Sequence, residues 1–356
     1  MIKKLFLLFL ATLAIFSLSA CTAGQKTVTY APGPKIKICV TISPLYVMTA
    51  DLINTRRNIF LEQIVPPNAD ISNFNLSDEQ VTYFSSFDIC IINGLGLDEQ
   101  IAEKLSQANP KLIILNTSEG IEPILKDNGE PNPYIWLSPI CSTLQIKNIA
   151  QLISEKDTIA LNEKEKEKLE KEKNAHIQKT AKEEIRNRAI LSSEKVFKTY
   201  NETLSSLGLK PLQTTGSLDL LQFNKMMEKA EMPLSIDTKN IRTTGKLRPI
   251  ISEDYYFDYL ARDFGLEVSK RILDDKKSLP EESLLEELNK SETVKIVFIS
   301  TASKNENERL CNTYPNLRFC FLEKTNIKEL LPNTLENTFI NNFNSINRTY
   351  SSMSSN

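Results

Sequence analysis

Histidine is almost absent from this sequence of 356 residues, which contains only His176. That residue lies in a strongly charged segment, where a solvated surface position is expected rather than a catalytic or metal-binding one. The sequence also lacks a glycine-rich phosphate loop, a Gly-x-Ser-x-Gly elbow and a Cys-x-x-Cys pair. These absences argue against phosphate-loop and triad chemistry and against a thiolate metal site. We therefore expect a protein that is not an enzyme.

An excess of basic residues is absent as well. The 43 Lys and Arg residues are balanced by 45 Asp and Glu residues, which gives a formal net charge of −2. Because no positive field is available to neutralise phosphates, nucleic acid is not an expected partner. The length and a hydrophobic content of 41% suffice for about two domains.

The N-terminal residues have the pattern of a secretory signal. Two lysines precede an apolar run at 5–16, which is too short to serve as a mature membrane anchor, and small residues then lead to Cys21. This arrangement resembles the lipobox of bacterial lipoproteins, in which the cysteine sulfur receives a diacylglycerol. We predict a lipoprotein signal peptide at 1–20, lipidation at Cys21 and a flexible tether at 21–34. An ordinary signal peptide cut near Ala20 is the alternative.

The segment 161–190 is predicted to form one long helix. It contains no Pro or Gly and is dense in Glu, Lys, Ala and Arg, which are strong helix formers or well tolerated in helices. Its apolar residues keep spacings that are multiples of four: Leu169, Ile177, Ala181, Ile185 and Ala189. At ~1.5 Å per residue the helix would be roughly 45 Å long. We interpret it as a rigid spine between two lobes; a surface helix packed on a single large domain is the alternative.

Short apolar runs alternate with helical patterns on both sides of this helix. Before it they occupy residues 36–42, 60–65, 89–92 and 112–115, and after it residues 247–251, 268–273, 295–299 and 319–322. This alternation predicts the α/β class, with two lobes that each contain a four-stranded, mainly parallel sheet with flanking helices, joined by one long rigid helix. The predicted boundaries are 35–137 for the N-terminal lobe, 138–195 for the interlobe helices, 196–246 for an insertion and 247–356 for the C-terminal lobe.

Ligands of open α/β sheets bind where loops leave the carboxyl ends of the strands, and a cleft between two lobes is the natural site. This rule selects residues after the second strand, between the lobes, and after two strands of the second lobe. The candidates for a ligand cleft are Asp70, Ser72, Asn73, Tyr134, Glu253, Asp254 and Ser300.

Four segments resemble motifs of the zinc- and manganese-type solute-binding lipoproteins of ABC importers (cluster A-I). Residues 67–74, Pro-Asn-Ala-Asp-Ile-Ser-Asn-Phe, are similar to the family's Pro-Gly-Ala-Asp-Pro-His-x-Tyr, and residues 93–98, Asn-Gly-Leu-Gly-Leu-Asp, to Asn-Gly-x-Gly-x-Glu. Residues 132–139 resemble Asp-Pro-His-x-Trp-Leu-x-Pro, and residues 254–266 resemble His-Asp-Ala-x-x-Tyr-x-Ala-x-x-Tyr-Gly-Leu. The resemblance covers nearly all of the mature chain outside 196–246.

The resemblance implies a lipid-anchored substrate-binding protein in the cell envelope, periplasmic or on the outer surface. Such a protein would act as a monomer, capture a solute between its lobes and deliver it to an ABC permease. Little hinge motion is expected from the predicted helix 161–190, because a single stiff helix resists wide opening of the lobes. The family's metal site usually takes three histidines and one carboxylate. At those positions this sequence has Ser72, Tyr134 and Asp254, with Ser300 or a neighbour at the carboxylate position. High-affinity zinc binding through three histidines is therefore not expected.

Oxygen donors offer another way to hold a divalent metal as cargo. Carboxylates of Asp70, Glu253 and Asp254 would suit Mn²⁺ or Mg²⁺, and Asp254 is the candidate metal ligand. The simpler interpretation is that Asp254 caps a helix and Asp70 fixes a turn. A different functional class also stays open: a surface lipoprotein that retains the scaffold, has lost metal binding and acts through protein–protein contacts of the segment 196–246.

Two further groups of side chains leave alternatives open. Cys311 and Cys320 could form a disulfide in an oxidising envelope, although sequence does not establish the geometry. The aromatic residues Trp136 and 255–257 are expected in the core, with the lining of a cleft for an organic solute as the alternative.

Overall fold

In a computed structural model of the protein, the described residues are 36–53, 58–67, 69–156, 198–207, 249–273, 282–301, 303–324 and 334–354, with residues 185, 188, 189 and 196. The predicted signal peptide, Cys21 and the predicted tether lie outside these residues, as do most of the predicted helix 161–190, including His176, and most of the segment 196–246. Within the described ranges, no helix combines the length and apolar character that crossing a membrane requires.

Eight strands form two separate four-stranded sheets. The strands are β1 (Ile36–Val40), β2 (Ile59–Gln63), β3 (Ile89–Ile92), β4 (Ile113–Asn116), β5 (Ile250–Ser252), β6 (Val268–Arg271), β7 (Lys295–Ser300) and β8 (Leu317–Leu322). Their orders are β2-β1-β3-β4 and β6-β5-β7-β8, and all pairings are parallel. Each strand overlaps a predicted apolar run. The predicted α/β class with two four-stranded sheets is confirmed.

Helices flank both sheets. They are α1 (Ser43–Ile53), α2 (Asp78–Phe84), α3 (Glu99–Ala108), α4 (Pro139–Lys156), α5 (Asp258–Asp263), α6 (Glu282–Asn289), α7 (Lys304–Thr313) and α8 (Thr334–Ser354). Short 3-10 helices occupy Ile71–Asn73, Ile135–Leu137 and Tyr255–Phe257, and residues 198–206 are also helical. Local signals fix some helix starts: Ser77 and Gln80 form a capping box at α2.

One hydrophobic core extends through both lobes. It combines β1 and β3 of the first sheet with β5 and β7 of the second, and it includes apolar side chains of α1, α4, α5 and α8. Fourteen of the eighteen residues of α4 are buried, so this helix lies inside the molecule rather than on its surface. Smaller clusters cover the other face of each sheet. Because the lobes share a close-packed core, relative motion between them is expected to be small.

Residues around the end of the predicted spine belong to the same core. Ile185 and Ala189, which lie on the predicted apolar ridge, are helical and fully buried. Farther along, Tyr200 is buried, and its hydroxyl donates a hydrogen bond to the carbonyl oxygen of Asp263. The ring of Tyr200 lies edge-on to Phe264, with 5.3 Å between the ring centres. The first residues of the segment 196–246 therefore pack against the second lobe.

The cysteines among the described residues are free thiols. Cys320 is buried whereas Cys311 is exposed, and no disulfide joins them. Burial raises the pKa of the Cys320 thiol to about 12, so it stays protonated and unreactive near neutral pH.

Candidate functional site

A cleft of about 380 Å³ lies at the carboxyl ends of the strands. The first lobe contributes the loops that follow β1 and β2, with Leu97 and the segment that contains Tyr134 and Trp136. The second lobe contributes Tyr256 and Lys324. The carboxyl ends of parallel strands are where ligands of α/β sheets bind, so this cleft is the candidate functional site.

The loop after β2 places Asp70 and Ser72 on the wall of the cleft. The Asp70 carboxylate caps the short helix Ile71–Asn73: one oxygen accepts from the backbone N–H of Ser72 at 3.0 Å, and the other accepts from the side-chain amide of Asn73 at 2.6 Å. Asp70 thus fixes the turn, as the simpler interpretation has it. Both of its oxygens already have partners within the same loop.

Tyr134 lies where the first lobe meets the second. Its ring stacks on Tyr256, with 3.7 Å between the ring centres and 15° between the planes. Trp136 lies edge-on to Tyr134 at a centre-to-centre distance of 5.4 Å. An aromatic contact between the lobes therefore stands at a position where the resembling motif has a histidine.

A buried polar network holds the Tyr134 loop in place. The side-chain amide of Asn93 donates to the carbonyl oxygen of Pro133 at 2.9 Å and accepts from Gln145 of α4 at 3.1 Å. Gly94 has φ +87°, and a Cβ there would lie 2.2 Å from Oδ1 of Asn116. Only glycine fits this close approach, which explains the Asn-Gly pair that follows β3.

Asp98 completes the Asn93–Gly94 turn. It is fully buried, and its carboxylate accepts from the backbone N–H groups of Asn93 at 2.7 Å and Gly94 at 2.8 Å and from the hydroxyl of Thr41. Burial raises the pKa of Asp98 to about 6, although these donors favour its charged form. The loop that supports the cleft is thus built on a carboxyl group that titrates in a mildly acidic range.

Asn132 joins the two lobes directly behind Tyr134. It is fully buried; its side-chain amide donates to the carbonyl oxygen of Tyr255 at 2.8 Å and its side-chain oxygen accepts from the N–H of Tyr134 at 3.0 Å. The hydroxyl of Tyr259 donates to the backbone carbonyl of Asn132 at 2.7 Å. These contacts set the position of Tyr134 relative to the second lobe.

The second lobe places two carboxylates after β5 and one lysine after β8. Oε2 of buried Glu253 accepts from the backbone N–H of Ser300 at 2.6 Å and from its hydroxyl. Oδ1 of Asp254 accepts from the N–H of Tyr256 at 2.7 Å. The Nζ atom of Lys324 lies 3.2 Å from Oδ2 of Asp254, 3.7 Å from Oε2 of Glu253 and 4.0 Å from the ring centre of Tyr256.

The electrostatics of this group follow from its burial. Desolvation raises the pKa of Asp254, and the ammonium of Lys324 acts in the opposite direction by favouring the carboxylate. Desolvation also raises the pKa of Tyr256, so its hydroxyl stays protonated at neutral pH. The result is a partly buried cluster of two acids and one ammonium beside the aromatic pair.

The predicted site residues thus fall into two groups. Asp70, Ser72 and Tyr134 line the cleft, whereas Glu253, Asp254 and Ser300 form a hydrogen-bonded group that connects to the cleft through Lys324. Asn73 holds Asp70 and is not part of the cleft wall.

Sequence reasoning missed Lys324 as a site residue. Lys324 is the second residue after β8, so the rule that ligands bind at the carboxyl ends of parallel strands also applies to it. For Tyr256 the sequence predicts a core position, with cleft lining as the alternative; its side chain lines the cleft.

Few of the described side chains near the cleft are suited to coordinate a bare metal ion. Among the residues that the structure describes, no three His, Cys, Asp or Glu side chains lie close enough together to hold a metal ion. Asp254 stays a candidate ligand, and an ion there would need further oxygen donors from neutral groups or water.

Two parallel-sheet lobes with a cleft at their strand ends define the class of two-lobed solute-binding proteins. The sequence matches the family described as zinc-uptake complex component A, periplasmic, over residues 38–231, more than half of the chain. The chain belongs to this family. The matched range includes much of the segment 196–246.

Relatives agree with this membership. The chain is 29% identical over 220 residues to the manganese ABC transporter substrate-binding lipoprotein PsaA of Streptococcus mitis, a match that covers 56% of this chain and 69% of the relative. It is 28% identical over 217 residues to the metal ABC transporter substrate-binding lipoprotein ScbA of Streptococcus cristatus, with the same coverage. With the zinc uptake protein ZnuA of Bacillus subtilis the identity is 24% over 175 residues, 44% of this chain and 54% of the relative.

Solved structures share the fold. FpvC of Pseudomonas aeruginosa in complex with Mn²⁺ has a TM-score of 0.60 at 14% identity, with 89% of this chain and 99% of that chain covered. A Mn-bound periplasmic metal binding protein from Candidatus Liberibacter asiaticus has a TM-score of 0.56 at 15% identity and covers 88% and 99%.

Taken with the family match, these relatives confirm the predicted solute-binding class of ABC importers. The chain is a substrate-binding protein and not an enzyme. The alternative of a surface lipoprotein that has lost its cargo finds no support among these relatives.

Proposed function

We propose that this protein is the lipid-anchored, extracytoplasmic substrate-binding component of a metal ABC importer, and that its ligand site has diverged from the three-histidine type. Its cargo is a divalent metal ion, which it captures in the cleft between the lobes and delivers to the importer's permease. It acts as a monomer at the surface of the cell envelope. Its N-terminal lobe comprises residues 35–137 and its C-terminal lobe residues 247–356.

The observation that carries this proposal is the convergence of the candidate loops. The segments with Ser72 and Tyr134 meet at one cleft, and Asp254 is connected to it through Lys324. In sequence, 62 positions separate Ser72 from Tyr134, and 120 separate Tyr134 from Asp254. The relatives that the chain matches are metal ABC transporter lipoproteins. Serine, tyrosine and aspartate offer oxygen rather than imidazole nitrogen, which favours Mn²⁺ over Zn²⁺ as the ion.

Cation titration of the mature chain tests the cargo. Isothermal titration with Mn²⁺, Zn²⁺ and Fe²⁺ is expected to show one site that prefers Mn²⁺, and Asp254→Asn is expected to weaken it because one carboxylate is lost. A free ligand at a hundredfold excess over its Kd stabilises a folded protein by about 2.7 kcal/mol, so Mn²⁺ should also raise the melting temperature.

Glu267→Gln is the matched control, since Glu267 is an exposed carboxylate of the same lobe. It is expected to bind Mn²⁺ as the wild type does. A wild type that binds no divalent cation in titration or in thermal shift would contradict the proposed cargo.

The lipid anchor is tested separately in cells. Cells grown with an alkyne-tagged fatty acid are expected to label the wild type and Cys311→Ala but not Cys21→Ala, because only Cys21 follows the lipobox-like residues. Cys311 is an exposed thiol and therefore controls for nonspecific acylation. Equal labelling of all three proteins would argue against lipidation at Cys21.

A further inference from the structure

Lys324 lies in the cleft that is proposed to bind a cationic cargo. A site for a cationic cargo already contains a cation that belongs to the chain itself. The ammonium lies within 4 Å of both carboxylates that follow β5, at 3.2 Å from Asp254 and 3.7 Å from Glu253. It thus occupies the place from which a metal ion would contact the same two oxygens.

Three contacts hold this ammonium. Besides the two carboxylates, the ring of Tyr256 lies under it at 4.0 Å, which is a favourable cation–π distance. Tyr256 in turn stacks on Tyr134 of the opposite wall at 3.7 Å. Lys324 is 26% exposed at its side chain, so its charge is only partly screened by water. The lysine is therefore a built part of the cleft and not a surface side chain that happens to fold over it.

The charge of the group also limits what can bind. Two carboxylates and one ammonium leave a net charge of −1, and Asp70 on the opposite wall adds another negative charge. An anionic ligand is disfavoured by this balance. A cation is favoured by the carboxylates but opposed by the ammonium, which has the same sign and the same partners.

A second feature of the cleft is independent of these acids. Oε1 of Gln63, on the wall formed by the first lobe, is buried and has no hydrogen-bond partner among the described residues. The amide nitrogen of the same side chain donates to the hydroxyl of Ser43 at 2.9 Å, which fixes the orientation of the group. Unpaired amide oxygens are costly in a protein interior and are ligands that hard cations accept.

We propose that Lys324 limits the affinity of the cleft for divalent cations by occupying the cation position between Glu253 and Asp254. This inference rests on the proposed function, since it concerns the same cleft. A bare divalent cation binds only in competition with the ammonium, and binding requires the Lys324 side chain to leave the two carboxylates. The lysine thereby lowers the affinity of the cleft for every bare divalent ion.

Replacing the lysine by an uncharged residue tests the competition. Lys324→Met keeps most of the length of the side chain and removes the charge. An opposite charge within 4–6 Å changes the proton affinity of a carboxylate by about tenfold to a thousandfold. The ammonium is expected to oppose Mn²⁺ binding to the same carboxylates in the same way, so Lys324→Met should bind Mn²⁺ at least about tenfold more tightly than the wild type. Lys324→Arg retains the charge and is expected to stay within about threefold of the wild type. The measurement is isothermal titration with Mn²⁺.

Two controls identify the origin of the gain. Lys270→Met removes an exposed lysine of the same lobe, one that pairs with Glu287 at 3.8 Å, and is expected to leave Mn²⁺ affinity unchanged. Adding Asp254→Asn to Lys324→Met is expected to abolish the gain, because it removes one of the two carboxylates. Lys324→Gln, which retains hydrogen-bond donors without the charge, serves if Lys324→Met does not fold.

The outcomes separate this inference from the proposed function. A wild type that binds Mn²⁺ and a folded Lys324→Met with the same affinity would overturn the role of Lys324 and leave the proposed cargo intact. A wild type without detectable binding and a Lys324→Met that binds would support the role of Lys324 and refute a bare cation as natural cargo. A gain that also appears in Lys270→Met would overturn the inference, since it would reflect the net charge of the protein.

Discussion

Replacing Asp263 by alanine is expected to lower the free energy of unfolding by about 3–5 kcal/mol. Asp263 is fully buried, and its carboxylate lies 3.0 Å from Nη2 of Arg262, a side chain that is 15% exposed. The hydroxyl of Ser138 donates to the same carboxylate. Removing the acid leaves a largely buried guanidinium without its counter-charge and a buried hydroxyl without its acceptor, and both effects destabilise the folded state.

The position of this pair explains why the effect should spread beyond one helix. Ser138 immediately precedes α4, which is buried between the lobes, whereas Asp263 ends α5 of the second lobe. Arg262 also contacts the sulfur of Cys141 in α4 at 3.2 Å. The pair therefore joins the central helix to the second lobe.

Urea unfolding measures the prediction, with Glu267→Ala as the matched control. Glu267 is an exposed carboxylate four positions farther along the chain, and its loss is expected to change stability by about 0.5 kcal/mol or less. A loss below about 1 kcal/mol for Asp263→Ala would contradict the view that the pair is buried and mutually dependent.

Replacing Asp98 by asparagine is expected to change how stability depends on pH. The pKa of Asp98 is raised to about 6 in the folded protein from an ordinary value of 3.8. Between about pH 4 and pH 6 the folded state retains a proton that the unfolded state has lost, so this group makes stability fall as the pH rises. Below pH 4 Asp98 is protonated in both the folded and the unfolded state. Above pH 6 it is ionised in both states, and the whole loss of unfolding free energy caused by its raised pKa is present.

The size of that cost follows from the shift of the pKa. About two pKa units correspond to about 3 kcal/mol, which the wild type should lose between pH 4 and pH 7 relative to Asp98→Asn. The asparagine also loses one hydrogen bond to the Asn93–Gly94 turn, and this loss is a constant offset at all pH values. Chemical denaturation of both proteins across this range gives the difference directly.

Two buried threonines provide the controls. Thr41→Val removes a donor that favours the charged form of Asp98, so the fall in stability should extend to higher pH. Thr49 is equally buried, but its hydroxyl has no hydrogen-bond partner within the described part of the chain. Thr49→Val is expected to leave the pH dependence of the wild type unchanged. Parallel pH curves for the wild type and Asp98→Asn would contradict the raised pKa.

Local pattern was sufficient to predict the fold class. Apolar β-branched runs such as Ile89–Ile92, between helical patterns, identify strands that are buried on both faces, and β3 is buried at all four positions. Helix starts such as that at Ser77 follow from side chains within one turn. These features depend on residues that are close in sequence, so periodicity and capping reveal them.

The sequence predicts which loops form the candidate site, but it does not predict which side chains contact one another there. The strand-end rule selected the loops that contain Asp70, Tyr134 and Asp254. It did not reveal that Lys324 pairs with Asp254, because 70 positions separate them and no local pattern links them. The bond between the Tyr259 hydroxyl and the carbonyl oxygen of Asn132 spans 127 positions. Such contacts depend on how the two sheets pack, which no short motif encodes.

The position of the single tryptophan has a consequence for the intrinsic fluorescence of the protein. Trp136 borders the cleft and meets Tyr134 edge-on, and no second indole is present to contribute emission. The tryptophan fluorescence therefore comes from a single indole that lies at the cleft wall and packs in the shared core. Binding of a ligand in the cleft is therefore expected to change the intrinsic emission of the unlabelled protein.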